Sequence, residues 1–599
     1  MFLRCSTRKK DGKEHRYWSV VENKRCADNR IVQRHVLYLG EINDQQQAAW
    51  EKTVEIFEDG QTQPRTVALF AEDRAVAVQD EHIVRVKLSE MQLRRPRQWG
   101  ACWLACHLYK ELKLDEFWAE RLPPSRKGTR WDLVLQTLCA YRLIAPGSEW
   151  HLHRHWFEGS AMGDLLGADF GQLAESHKLY DCHDLLLEHK TALFDHLTQR
   201  WKDLFNAKFD VLLYDLTSSY FESDPPFGED DKRKFGYSRD KRSDCLQVVI
   251  ALIVTPEGFP LAYEVMAGNT SDKTTLKAFL EKIEKQYGKA QRIWVMDRGI
   301  PTERTLGEMR QSDPPILYLV GTPKARLSQL EKQFKEVAWQ PVREGVEVKL
   351  LPQSGEIYLL AQSRDRVSKE RGMRRRQLKR LWKRLKELQG MLLKRDALLM
   401  KLGAARQQSP SAWRLVEIRF PTAKKNKKPN QAQTDRKFNF ALNKDKLREV
   451  RRREGRYLLR TNLVEQPSAQ VWQFYMQLAQ VEGAFKNLKR DLGLRPFFHQ
   501  KQERIEAHIF VAFLAYCLHV SLGRRLKDLA PGLTPRSVLE KLKAMQMLDV
   551  HLPTTDGREV ILTRYTQPEP EQRLLLDKLK LQLPDQPPPK ITAAQIPTK

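Results

Sequence analysis

The period of the hydrophobic pattern changes several times along this chain. Residues 16–22 and 31–39 (RYWSVVE, IVQRHVLYL) read as two strands, Gly40 stops the second, and a polar helix is predicted over about 44–57. Residues 100–205 take a helical period, with apolar faces at 101–113, 131–143 and 184–205 and breaks at Pro123-Pro124 and Pro146-Gly147. From Phe209 short apolar runs take over: 211–214 ending in Asp215, then 245–254, 259–268, a helix over 274–286, a strand at 292–297 ending in Asp297, a helix at about 302–311 and a strand at 316–320. The predicted order is β, β, β, α, β, α, β. A strand returns at 456–463, one continuous helix is predicted over about 469–490, and another over about 503–523. The end is Pro-rich, with a helix at 535–546, a strand at 560–565 and an expected mobile stretch from Pro584.

Between the two apolar blocks, residues 366–406 hold 15 Lys+Arg and 3 Asp+Glu. Leu378, Leu381, Leu385, Leu388, Leu392, Leu399 and Leu402 repeat there at near-heptad spacing, which predicts a long basic helix with one apolar seam. Such a helix is either a solvated coiled-coil or hairpin surface or a phosphate-facing element. The strand pair near the N-terminus is likewise either a solvated hairpin or a DNA-reaching wing.

Charge narrows the partner. Lys+Arg 103 against Asp+Glu 76 leaves +27 over 599 residues, which points to a polyanion, nucleic acid before membrane. Apolar residues at 41% exclude wholesale disorder. The longest apolar stretch, 509–518, is half a membrane span, and the first residues lack the apolar core of a secretory signal, so no membrane partner is expected. Eight scattered cysteines without a C-x-x-C pair predict a reduced, cytosolic protein, with Cys102 and Cys106 as core packing. His151, His153 and His155 alternate, but no Cys, Asp or Glu cluster joins them as metal ligands.

Two aspartates closing apolar strands look like a shared site, because a carboxylate there needs a donor or a cation. A two-metal site needs a third oxygen ligand. Between Glu465 and Asp491 the one acid is Glu482. On a continuous helix Tyr475, Leu478, Glu482, Phe485 and Lys489 are spaced 3, 4, 3, 4 and share one mostly apolar face. Glu482 is then either a metal ligand or the partner of Lys489 in a salt bridge.

These residues resemble the DDE transposases of bacterial insertion sequences, in the branch whose third acid lies in a Y-x2-R-x3-E-x6-K pattern. Tyr475, Glu482 and Lys489 fall on that pattern, and Leu478 stands at the arginine position. LLYDLTSSYFE around Asp215 is similar to the family's first-acid block, and GNTSDKTTL followed by WVMDRG, with Asp297, to its second. RYLLRTNL leading to VEGAFKNLKRDLGLRPFFHQKQERIEAHIF is similar to the third, while YLGEI and RLIAPGSE carry a looser likeness. The acids are 82 and 185 residues apart, and the longer gap is where this branch inserts a subdomain.

The resemblance implies a multidomain α/β chain: a ribonuclease H-like mixed-sheet core with a large basic insertion and a mostly helical N-terminal region. It divides into 1–60 (hairpin and helix), 61–205 (helical, DNA-end-binding), 206–321 and 451–525 (the two parts of the core), 322–450 (the insertion) and 526–599 (the tail). It implies that Asp215, Asp297 and Glu482 hold two Mg²⁺, for which Mn²⁺ can substitute, and that a freed 3′-OH attacks target DNA. Tyr475 would stack on a displaced base, and Lys489 would meet a terminal phosphate with Lys486, Arg490 and Arg495 nearby. Partners would be double-stranded DNA, at terminal repeats and target, and a second copy when two ends are paired. Its setting would be the cytoplasm, at the nucleoid. The competing readings are a Mg²⁺-dependent nuclease on the same fold, which cuts without joining, and a DNA-binding protein whose catalytic site has decayed.

Overall fold

A computed structural model describes residues 2–10, 13–25, 31–40, 86–222, 228, 230–238, 240, 242–287, 292–391, 393, 395–420, 438–497 and 499–592. The helix expected at 44–57 lies outside them. The architecture is mixed α/β, and the chain folds as two compact units. The first comprises Met1–Arg8, Arg16–Trp294 and Gln477–Lys599; the second comprises Lys9–His15 and Val295–Met476.

The first unit is organised around one helix, Gln502–Leu529, which buries an unbroken run from Ala507 to Leu522. By length and composition it could cross a membrane, but 94% of its most apolar window is covered by the protein itself. Helices Gly100–Glu111, Trp131–Ile144 and Ser176–Asp184 pack on it, with Cys102 and Cys106 in the apolar interior. Near the N-terminus, Lys13–Arg25 pairs antiparallel with Ile31–Gly40 and buries Val20, Val21, Leu37 and Leu39. A strand before it, Phe2–Lys10, was not foreseen, because its charged run FLRCSTRKK hides the alternation.

Three strands form an antiparallel meander in this unit: Val211–Phe221, Leu246–Val254 and Pro260–Ala267. All nine residues of the middle strand are buried, so it reads as a continuous apolar run. The order β, β, β, α, β, α, β holds through Asp272–Tyr287, Ile293–Met296, Glu303–Gln311 and Leu317–Gly321.

The Pro-rich end is fastened, contrary to expectation. Lys590–Ile591 pairs with Glu559–Tyr565, which pairs with Gln546–Pro553, which pairs with Gln92–Gln98. Arg97, almost fully buried, spans Asp164 at 2.7 Å and Asp549 at 3.0 Å beneath this sheet.

In the second unit the strands lie in the order Gln340–Arg343, Val346–Gln353, Glu356–Ser363, Arg456–Thr461, Leu317–Gly321, each antiparallel to the next. The basic segment is not one long helix. It is a hairpin of Arg364–Gly390 and Arg395–Gln408, broken after Gly390. Leu381, Leu385, Leu388 and Leu402 form its core with Ala405, Val416 and Phe438, and Leu378 packs alongside. Leu399 is 46% exposed, off the expected seam, because the break resets the helical phase.

Candidate active site

Asp215 is the fifth residue of Val211–Phe221 and sits inside the strand, not at its end as the sequence suggested. The β-compatible run LTSSYF continues pairing past it, with Asp215 opposite Leu252. Asp215 is half-buried between buried neighbours, and its Oδ1 accepts the Leu216 N–H at 2.8 Å.

The helix expected over 469–490 is three pieces: Ser468–Met476, Ala479–Lys486 and a π-helical turn Asn487–Asp491. The break at Gln477 and Leu478 and the wider π turn destroy the regular phase that put five residues on one face. The piece Ala479–Lys486 packs on the Asp215 strand and buries Val481, Ala484 and Phe485. Glu482 is exposed, which corrects the expectation of a buried acid. Nor does Glu482 pair with Lys489. The Lys489 ammonium instead lies 3.1 Å from Asp240, whose same oxygen takes Arg495 at 2.9 Å. Lys486 and Arg490 are exposed. Arg495 and Arg242 both lie over the Tyr220 ring, at 4.9 and 4.8 Å.

Asp297 and Tyr475 belong to the second unit. Asp297 directly follows the buried strand Ile293–Met296, as expected, and its Oδ1 accepts the Arg298 N–H at 2.7 Å. Gly321 is placed against both residues. A Cβ there would stand 2.8 Å from the Tyr475 hydroxyl and 3.4 Å from Asp297 Oδ1. The Tyr475 ring stacks on Tyr457 at 6.1 Å. Burial, then the Asp297 charge, push its phenol up to about 12, so it is a neutral hydrogen-bond donor at ordinary pH.

Residues 206–518, more than half of the chain, match the family described as the transposase DDE domain, and residues 3–62 match the N-terminal domain of IS1634 family transposases. The chain is a DDE transposase. That family catalyses DNA cleavage and strand transfer with divalent metals. No curated protein matches the transposase. Among solved structures, a cryo-EM structure of a piggyBac transposase synaptic complex with hairpin DNA is similar at 10% identity and a TM-score of 0.33, over 76% of this chain and 82% of that one.

The transposase also holds a buried polar cluster that the sequence reading missed. Glu149, His499 and His508 bring ligand-type atoms within 4.8 Å of one another, and His183 Nε2 lies 3.2 Å from Glu149 Oε1. A cation is already present there: the Arg142 guanidinium is 3.5 Å from Glu149 and 3.4 Å from His508 Nδ1, and it donates to the Gly493 carbonyl at 3.1 Å. A divalent ion would add its charge to that of Arg142, so the cluster reads as an ion-paired hub of the fold. Burial pushes the Glu149 carboxyl up, but donors on His183, His499 and His508 outweigh it and hold it well below the usual carboxylate range. The signal was in RLIAPGSE and in the two histidines of FFHQKQERIEAHIF, but their meeting depends on packing across 366 residues. His151 and His153 are engaged locally, with the Tyr141 hydroxyl at 3.0 Å and the Ala174 carbonyl at 2.9 Å.

Proposed function

We propose that this transposase binds the terminal repeats of its own element, nicks them with Asp215, Asp297 and Glu482 as the acidic triad, and joins the freed 3′-OH ends to target DNA. The observation that carries the reading is Asp215: a carboxylate in the middle of a buried strand is costly unless donors or a cation compensate it. The adjacent backbone N–H groups at Leu216 and Arg298 hold Asp215 and Asp297 in fixed rotamers. Three carboxylates are the hard oxygen donors that Mg²⁺ prefers, and Mn²⁺ accepts the same set. Bound there, a divalent pair supplies a water of lowered pKa and neutralises the leaving oxygen.

On the protein side, Lys489 and Arg495 form a cationic pair preset by Asp240, suited to a phosphate near the cut, with Lys486 and Arg490 on the exposed side. Tyr475 lies at the DNA end with its hydroxyl beside Asp297. The core is of the ribonuclease H type, with the domain limits given from sequence. Two copies act together when two ends are paired, and the protein works on nucleoid DNA in the cytoplasm. The test is a labelled end fragment incubated with Mg²⁺. Asp215→Asn, Asp297→Asn and Glu482→Gln should each abolish nicking while keeping end binding. A variant that nicks normally removes its residue from the triad; wild-type nicks without joined products favour the nuclease reading.

A further inference from the structure

The loop after the Asp215 strand is basic and aromatic. Residues 232–242, KRKFGYSRDKR, hold six Lys or Arg and one Asp. Tyr237 is 85% exposed and Phe235 is 55% exposed, the two rings flanking Gly236. Exposed rings are ordinary on a mobile loop, but this backbone is pinned on both sides. Lys234 exchanges backbone hydrogen bonds with Gln247 at 3.1 and 3.0 Å, and the Lys232 carbonyl accepts the Gly268 N–H at 2.8 Å. The Lys232 N–H donates to Gln502 at 2.8 Å, and its ammonium lies 2.6 Å from Glu506. Beyond the rings, Ser238 Oγ accepts the Arg242 N–H at 3.0 Å, and Asp240 takes Lys489 and Arg495.

Gly236 makes the seating possible. A Cβ there would stand 2.1 Å from the Gly268 carbonyl oxygen, and one at Gly268 would stand 1.9 Å from that of Gln247. Two glycines therefore let the loop lie directly on the core strands, which fixes the backbone between two solvent-facing aromatic side chains. Holding a phenyl and a phenol ring in water forgoes the burial that usually stabilises them. A partner with flat π faces and negative charge suits both the rings and the surrounding cations. Bases in a duplex are already stacked, so the vacant face is that of an unpaired base.

We propose that Phe235 and Tyr237 form a stacking platform for an unpaired base at the DNA end, beside the phosphate that Lys489 and Arg495 meet. The inference rests on the end-binding reading above. Tyr475, which stacks on Tyr457, is less available for that role than Tyr237.

The test uses the full chain and a duplex carrying the inverted repeat that flanks its coding region, blunt or with three unpaired terminal nucleotides. 2-Aminopurine is placed at each terminal position in turn. With wild type and Tyr237→Trp, fluorescence at one position should be quenched on binding. With Tyr237→Ala and Phe235→Ala the quench should be lost, and affinity for the frayed end should fall roughly 5- to 100-fold, the size expected for one stacked base. The salt slope should stay the same, since no phosphate contact is removed. Equal quench and affinity in the Phe235→Ala, Tyr237→Ala double variant would overturn the proposal. So would intact DNA affinity with lost self-association by sedimentation, which would make the loop a protein interface. A wild-type chain that neither binds nor nicks the end sinks the end-binding reading and this inference with it. Wild-type binding matched by the alanine variants sinks the inference alone.

Discussion

Lys489 reaches across 249 residues of chain to lie 3.1 Å from Asp240, and Arg495 shares the same carboxylate. One acid thus preorients two cations and offsets half of their charge before DNA arrives. Asp240→Asn should remove the negative charge that the two cations share. Binding to duplexes of unrelated sequence should tighten, and the slope of log affinity against log salt should steepen by about 1. Nicking at the correct position should fall, because the pair loses its fixed geometry. Salt titrations of wild type and variant check this; an unchanged slope would mean that Lys489 and Arg495 do not face phosphate.

Gly321 gives a sharper test of the second unit's contribution. A methyl group there would press on the Tyr475 hydroxyl at 2.8 Å and on the Arg298 backbone nitrogen at 3.2 Å. The phenol is the softer obstacle and should move first, away from Asp297. Gly321→Ala should therefore slow nicking about 10-fold or more while changing stability by about 1 kcal/mol. Adding Tyr475→Phe removes the atom in the way and should recover part of the lost rate. A double variant no faster than the single one would place the damage elsewhere.

Much of this was legible in the chain, and the rest fails for identifiable reasons. The alternation and apolar runs from 211 to 321 reported the core order directly, because buried strands leave an unmistakable composition. Asp297 was located correctly at its strand end, whereas Asp215 was taken for a strand terminus because a charge in a buried strand looks like a stop. The break at Gln477 and Leu478 has no Gly or Pro to announce it, so the local pattern does not record it. The Asp240 clamp and the Glu149 hub join distant segments, and no local period records that. The tail was read as mobile because prolines donate no hydrogen bonds. Their carbonyls still accept, and those of Pro584 and Pro587 bind Tyr565 and Arg564.

The helix Arg364–Gly390 settles into two faces. Leu381, Leu385 and Leu388 are buried, and Arg375, Lys379, Lys383 and Lys386 are exposed at spacings of 4, 4 and 3, which puts them on one stripe. Its packing role is therefore established, and the stripe is free to meet phosphates as well. Replacing the four cations by Gln should leave the hairpin folded and reduce the salt slope by up to about 0.9 per lost contact. A slope identical to wild type would leave the helix as a packing element alone.

The buried hub makes stability depend on pH, with a sign that can be worked out. Burial, then the Arg142 charge, hold the His508 imidazole down at about 3, and burial holds His519 at about 4. In the unfolded chain both titrate near 6.5. Between those values the unfolded state binds protons that the folded state refuses, so stability is full above about 6.5 and is lost as pH falls. For His508 alone the loss is of the order of 2 kcal/mol by pH 5. Glu149 is also depressed, but its contribution fades only below the unfolded carboxylate value, so the histidines own the range from 6.5 to 4.5. Urea midpoints at pH 7.5, 6 and 5 should fall steadily. His508→Asn should start lower, since it leaves Arg142 and Glu149 with one partner fewer, yet fall less steeply by about one proton's worth. A variant as steep as wild type would show that His508 titrates alike folded and unfolded, and that the hub is open to water.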